Sequence, residues 1–444
     1  MDLDLQDPLL PFRFFIAVFN FPLIRDFWWL WLFILLIFIA RQLWLTYAQE
    51  YYRRSVKWSL LELRIPRELR KSPKAMEQVF TAIHALRNNY SNFKEHWWDG
   101  EITLWFSCEI VSFGGEIHFY MWVPSKHRNM VETALYSQYS DIEVAEAGED
   151  YISRLPPTAE ELERSGYKFF GNELRLEKQD AYPIRTYVEF EAIEEERQLD
   201  PIGATLETMA RIKPQEILWL QILIRPTDES WKKSGEALVK ELKEKAKSEF
   251  LSPTSGKVTF TERTPGEMDV MKAIERNVAK PGFETQIRYL YIAPPEIFDK
   301  NFGQRGLYSA MNQYASESLN RFKHNVKAWT KVSFWFWPHL FPGLRARARK
   351  ERIYSYYRQR KMYADPASPF ASKVQEMKAF HWGFIAQKLG KMVLNTEELA
   401  TIFHPPTNIV LTGPLIKRIE AKKGGPPAGL PIYGEEGEEL PGIK

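Results

Sequence analysis

Apolar and polar positions along the chain fall into three regimes. The first is a run without charge, FWWLWLFILLIFIA from Phe27 to Ala40, resumed after Arg41 and Gln42 by LWLTYA to Ala48. Together these approach the roughly 20 residues that a membrane-spanning helix needs. Trp28, Trp29 and Trp31 crowd one end, and Trp44 and Tyr47 lie near the other, the pattern expected of rings at the two membrane interfaces. Arg41 is close enough to the end to reach the headgroups. The second regime, from Val56 to about Thr412, mixes two-residue and 3.6-residue periods. The third, from Gly413 to Lys444, is rich in Gly, Pro and Glu, cannot bury a core and predicts a flexible tail.

In the second regime, Val56–Ile65 (VKWSLLELRI) predicts a strand closed by Pro66. Ser72 and Pro73 then start a helix to Arg87 whose Met76, Val79, Phe80 and Ile83 share one face. Glu101–Glu109 and Glu116–Val123 predict a hairpin turning at Gly114-Gly115. Ser125 caps a helix through Tyr139, and Asp141–Ala145 closes the unit as a short strand. The order β-α-β-β-α-β is the ferredoxin-like pattern, a sheet with helices on one face.

After the joint Leu155-Pro156-Pro157 the order repeats in outline. Strands are expected at Tyr182–Ile193, Glu216–Arg225, Glu284–Ala293 and Lys391–Leu394. Helices are expected at Pro201–Arg211, at Ser230–Phe250, near Met268 and at about Arg305–Asn325. The fold class is therefore α+β: an N-terminal transmembrane helix followed by two ferredoxin-like βαββαβ units, the second with insertions. The expected boundaries are a membrane anchor at 1–50, a first unit at 51–155, a second at 156–412 with a basic and aromatic helical insertion near 326–380, and the tail at 413–444.

Charge sets the orientation. Arg53, Arg54, Lys57, Arg64, Arg67, Arg70 and Lys71 follow the apolar run, while Asp2, Asp4 and Asp7 precede it with only Arg13 and Arg25. Cytoplasmic flanks carry the Lys/Arg excess, so the bulk of the chain is expected in the cytoplasm, single-pass in the cytoplasmic membrane. The acidic start and the bulky residues after the run argue for an uncleaved anchor rather than a signal peptide. The stretch Leu9–Ile24 is short and carries Arg13, Asn20 and two prolines, as an interfacial or re-entrant segment would.

Chemistry is sparse. The one cysteine, Cys108, allows no internal disulfide and predicts a small buried side chain. None of the eight histidines falls into a zinc or zinc-protease spacing, and there is no nucleophile elbow or phosphate-cradling loop. Glu189, Glu191, Glu194, Glu195 and Glu196 form an acidic run of the kind usually solvated. No catalytic, cofactor-binding or metal-binding residue is predicted, and the chain is expected not to be an enzyme.

One charged segment stands out. Arg345 to Lys361 reads RARARKERIYSYYRQRK, with eight basic residues and one acid, and SFWFWPHLFPGL precedes it. Three readings fit. Trp335, Phe336 and Trp337 insert in a membrane surface while Arg345, Arg347, Arg349, Lys350, Arg352, Arg358, Arg360 and Lys361 meet anionic lipid. The same residues bind a nucleic-acid backbone, with tyrosines stacking on bases, which would make DNA a partner. Or it is a solvated basic helix packed on its own aromatics. The oligomeric state is left open.

Two stretches carry a family resemblance. LNTEELATIFHPPTN, Leu394 to Asn408, and GEIHFYMWVPSKHRNMVETALYSQYSDIEVAEAGEDY, Gly115 to Tyr151, resemble the region ahead of the motor domain in conjugation-type ATPases of type IV secretion systems, in a version associated with poorly characterised bacteria. In such proteins membrane helices, ferredoxin-like units and a Pro-rich joint like Gly424 to Pro431 precede a nucleotide-binding domain. The resemblance spans about Ser55 to Pro431 and implies a membrane-proximal platform for a separate secretion ATPase or a transported substrate. The sequence ends at Lys444, where relatives begin their motor, so no ATP-binding residue carries over.

Overall fold

A computed structural model describes residues 28–66, 69, 71–88, 92–190, 199–248, 264–326, 328–332, 341–362, 392–407 and 418–419. The apolar stretch 9–24 and most of the expected tail lie outside the described residues. The fold is mixed helix and sheet, with an N-terminal apolar helix and an antiparallel sheet. The chain divides into two compact units.

The first unit contains helix α1 (Trp28–Ser55), together with the segment 88–103 that carries the short helix α3 (Phe93–Trp97). Of its described side chains from Trp29 to Ala40, every one is exposed, as no soluble core helix would be. One stretch of α1, Leu32–Ser55, is long and apolar enough to cross a membrane.

The second unit is built on one ten-stranded sheet. Its strands are β1 (Trp58–Pro66), β2 (Phe106–Phe113), β3 (Glu116–Pro124), β4 (Glu143–Glu146), β5 (Lys168–Leu176), β6 (Ile217–Pro226), β7 (Gly282–Ala293), β8 (Phe322–His324), β9 (Met392–Asn395) and β10 (Arg418–Ile419). The central path runs β1-β3-β2-β6-β7-β5-β8, every neighbour antiparallel, with β4 beside β1 and β9 beside β7. Gly114 and Gly115 make the β2–β3 turn with φ of 57° and 96°. Any side chain there is strained by this backbone, and a Cβ on Gly114 would also strike Pro214.

One face of the sheet buries the larger core. Leu61, Cys108, Ile110, Phe119, Ile222, Ile287 and Tyr289 meet α2 (Lys74–His84), α4 (Arg128–Gln138), α6 (Gly203–Ala210), α9 (Lys300–Met311) and α11 (Thr396–Ile402). The opposite face, with Val111, Trp219, Leu290 and Ile292, is covered by α5 (Ala159–Arg164) and α10 (Pro342–Arg358). A satellite core of Trp231, Leu238, Ile274 and Val278 joins α7 (Ser230–Ser248) to α8 (Pro265–Ala279).

Several expectations change. Strands from both sides of residue 155 lie in one sheet, β2 pairing with β6 from Phe106↔Ile224 to Phe113↔Ile217, and share one core. The strand expected at 182–193 is absent over its described part. Residues 182–190 form a loop whose N–H groups bond to side chains, Ile184 to Glu398 (2.9 Å) and Tyr187 to Thr401 (2.9 Å). The strand lies upstream, as β5. The segment expected as the last strand forms as β9 but pairs with β7, and β8 is the strand beside β5. In the expected tail, β10 pairs with Ile65 and Pro66.

Candidate functional site

The richest polar constellation of the second unit lies across the middle of the sheet, under α10. Successive register partners are Tyr120 on β3, Glu109 on β2, Gln221 on β6, Arg288 on β7 and Glu173 on β5. Strand side chains alternate faces, so these five point the same way. Glu109 is fully buried and receives Ser107 Oγ (2.6 Å), Tyr151 OH (2.8 Å), Gln221 Nε2 (3.0 Å) and both Nε (2.8 Å) and Nη2 (3.0 Å) of Arg360. Arg360 also binds Asp150 (2.5 Å), holding that carboxyl below its usual range against the opposing effect of burial. Arg288 pairs with Glu173 (3.1 Å) and donates to the carbonyl of Lys361 (2.7 Å). The row therefore grips the C-terminal end of α10, where carbonyls lack helical partners and the helix dipole is negative.

This places each cation of the basic segment. Arg345 and Arg360 are buried. Arg358 donates to the carbonyls of Ile152 (2.7 Å) and Leu155 (2.9 Å). Arg349 is half-buried, directs Nη1 at the carbonyl of Val326 (3.3 Å), and burial with Arg345 and Arg352 nearby brings its pKa down to about 10. Arg347 pairs with Glu160 and Lys350 with Glu163, both acids on α5. Arg352 and Lys361 are half-buried. Tyr354 and Tyr357 are buried in the core beneath, whereas Tyr356 is half-buried. The helix thus packs on its own aromatics, as in the third sequence reading, but several of its cations are buried or paired rather than solvated. Trp335, Phe336 and Trp337 lie outside the described residues. In the anchor, Trp28 opens α1, Trp31 follows one turn on, and Trp29 and Trp44 are exposed.

A second constellation, not foreseen, is built on α11. Asn395 caps the helix in a reciprocal box with Glu398. Glu397 receives Lys280 (2.6 Å), Arg276 (2.9 Å) and Thr186 (2.5 Å), and Lys280 also binds Glu77 on α2 (2.5 Å). His404 directs Nε2 at Asp200 (2.8 Å) and Nδ1 at the carbonyl of Ala400 (2.7 Å), and Asp200 further accepts from Thr407 N (2.8 Å). Burial opposes ionisation of Asp200, but the charge and hydrogen bond of His404 outweigh it and hold the carboxyl at about 2. Burial, with Asp180 and Glu397 nearby, pushes Glu398 up to about 8 against two backbone N–H donors. These groups satisfy one another and fasten α2, α8, α11 and the 180–190 loop together. The signal in the sequence was the density of Thr, Glu and His in TEELATIFH, read there as a resemblance rather than as a lock.

Two clefts remain. One of about 210 Å³ is lined by Thr186, Lys272, Arg276, Asn395 and Glu397. Another of about 530 Å³ separates α5 from α10 and is lined by Glu160, Arg164, Leu344 and Arg347. Among the described residues no three of His, Cys, Asp and Glu converge as metal ligands.

No curated protein matches the chain. The profile of a family described as a domain of unknown function, DUF8128, matches residues 38–300, from within α1 through β7 to the first residue of α9. That match covers more than half of the sequence, and the chain belongs to the DUF8128 family.

Proposed function

We propose that this protein is a membrane-anchored, non-catalytic platform that carries its α+β unit at the cytoplasmic face for a separate ATPase or a transported substrate. The observation that carries the reading is α1, whose described side chains between Trp29 and Ala40 are all exposed apolar groups. Water would disfavour that surface strongly and lipid would accept it. The basic residues after the helix favour a cytoplasmic second unit. The secretion-ATPase likeness of Gly115–Tyr151 and Leu394–Asn408 suggests the kind of partner.

The sheet supports reading the second unit as two ferredoxin-like halves joined edge to edge. The first has strand order β4-β1-β3-β2 and the second β8-β5-β7-β6, the same order in each, with α7 and α8 inserted between β6 and β7. The nucleic-acid alternative finds little support, since the cations of α10 are largely taken up by α5, by the sheet and by backbone carbonyls.

The test is the tagged full chain in native membranes. Resistance to alkaline extraction, a C-terminal tag protected from external protease and co-isolation of a Walker-type ATPase are expected. Release of a soluble form shortened at its N-terminus would identify a signal sequence and overturn the anchor. Recovery of an intact membrane form without any ATPase or transport substrate would overturn the platform role.

A further inference from the structure

The first unit holds more than a helix. From Arg41 onward α1 acquires a partner, Asn88 and residues 92–103. Trp44 Nε1 donates to the carbonyl of Trp97 (2.8 Å), the Trp44 and Trp98 rings lie 5.4 Å apart, and the Arg41 guanidinium sits 4.1 Å from the centre of the Trp97 ring. Gly100, at φ +64°, rests directly on the α1 backbone, where a Cβ would fall 2.4 Å from the Ala48 carbonyl carbon. The segment is tied off by Thr103 Oγ1 to the carbonyl of Asn88 (2.9 Å) and by Asn88 to Glu101 (2.6 Å). Asn92 and Glu95 cap α3 reciprocally.

With Trp97 packed on α1, the segment turns two other large apolar rings outward. Phe93 is 78% and Trp98 69% exposed, and on α1 Tyr47 and Tyr51 are 64% and 68% exposed. A loop that only had to pack on α1 would bury these rings. Lys94, Glu95, His96 and Asp99 flank these rings with polar or charged groups, Lys94 and Asp99 exposed, while Trp97 is half-buried against α1. Aromatic rings among polar groups match neither water nor the hydrocarbon interior, but they match the headgroup boundary between them. The level is consistent. From Trp28 an α-helix rises about 20 Å to Arg41 and about 28 Å to Tyr47, so Trp44 to Ala48 lies near the end of a ~30 Å hydrocarbon layer and Arg41 one turn inside it. Arg41, the one charge inside the apolar run, lies against the Trp97 ring there.

We infer that α3 and its flanks form an interfacial collar around the end of the anchor, with Phe93 and Trp98 seated in the headgroup and upper acyl region of the bilayer. This rests on the anchor reading and adds a second lipid-binding element to it. The collar would set the depth of α1 and give Arg41 a ring to lie against rather than hydrocarbon.

The test uses the full chain reconstituted in vesicles of phosphatidylcholine with phosphatidylglycerol, spin-labelled at one introduced cysteine. Cys108 is fully buried and burial pushes its thiol far up, so the native chain takes no label. Labels go on Phe93→Cys and Trp98→Cys, with Ile37→Cys for the anchor and Met130→Cys, an exposed position of the second unit. Collision rates with oxygen and with a water-soluble nickel chelate read the depth. Expected are oxygen dominance at position 37, chelate dominance at 130, and intermediate values at 93 and 98. Positions 93 and 98 matching 130 while 37 stays in lipid would overturn the collar alone. Position 37 in water would overturn the anchor, and the collar with it.

Discussion

Arg360 lays Nε and Nη2 against the two carboxylate oxygens of Glu109, at 2.8 and 3.0 Å, in the buried centre of the sheet. Arg360 does this from a left-handed backbone position, φ 46°, directly after α10. A non-glycine residue there costs on the order of 1 kcal/mol, so the ion pair holds a strained turn in place. Arg360→Ala is expected to destabilise the second unit by about 3–5 kcal/mol, since it leaves Glu109 buried without its charge partner. Arg360→Gly should lose about 1 kcal/mol less, because the backbone relaxes. Denaturation midpoints of both variants, and of Glu109→Gln, Arg360→Met and the double variant Glu109→Gln/Arg360→Met, check this. The double variant should lose clearly less than the two single losses added together.

The outer cations of the same helix behave differently. Arg347 and Lys350 reach Glu160 and Glu163 at the surface, where water screens such pairs. Arg347→Ala and Lys350→Ala should leave the unfolding midpoint nearly unchanged. Neither the parent nor these variants should bind duplex or single-stranded DNA at moderate salt. Tight binding whose affinity drops steeply with added salt, and drops again in Arg347→Ala, would restore the nucleic-acid reading.

This contrast shows what the sequence discloses and what it hides. The period of Lys74–His84, the Gly114-Gly115 hairpin and the long apolar run were all readable, because each follows from spacing within one segment. The fate of the basic segment was not. Its partners, Glu109, Asp150, Glu160 and Glu163, lie far away in sequence, and only tertiary pairing brings them beneath α10. A hint existed: Glu109, Gln221 and Arg288 stand in strands rich in apolar residues, and buried polar residues require partners. β5 was missed for a related reason, since Gly171, Asn172 and Glu173 break its alternation. Their places follow from Ile353 packing near Gly171, from Asn172 bonding to His324 (2.6 Å) and from Glu173 pairing with Arg288. The strand expected at 182–193 failed because α11 side chains take the N–H groups of Ile184 and Tyr187.

Asp200 sets the acid limit. Its carboxyl titrates near 2 in the folded chain against an ordinary value of 3.8. A depressed native pKa contributes stability that is complete above 3.8 and is lost as the pH falls towards 2. The contribution is on the order of 2 kcal/mol. His404→Gln removes the opposing charge, so its acid unfolding midpoint should move to higher pH. An unchanged acid transition would show that the pair does not control it.

Glu398 acts in the opposite sense. Burial raises it to about 8 from 4.5, so the folded chain keeps a proton that the unfolded chain has released. Stability is then greatest below 4.5 and declines as the pH rises to about 8. Asp180, raised by burial to about 6, adds to the decline in the lower part of that window. Glu398→Gln keeps an acceptor but cannot ionise, and should flatten the melting-temperature profile between pH 5 and about 8. A profile as steep as the parent's would mean that Glu398 is already ionised in the native chain.

Gly100 offers a test of the first unit that leaves the sheet untouched. Its φ of +64° disfavours any side chain, and a Cβ would meet Ala48 backbone atoms at 2.4 and 2.5 Å, neither of which can swing aside. Gly100→Ala should therefore lift the segment 92–103 off α1, separating Trp97 from Trp44 and from the Arg41 guanidinium. Chymotrypsin should then cut at Phe93–Trp98 several-fold faster in the detergent-solubilised variant, with the melting of the second unit unchanged. Gly148→Ala, where a Cβ meets nothing within 4 Å, serves as the neutral comparison. Equal cleavage rates in both variants would show that the Gly100 contact does not hold the segment to the anchor.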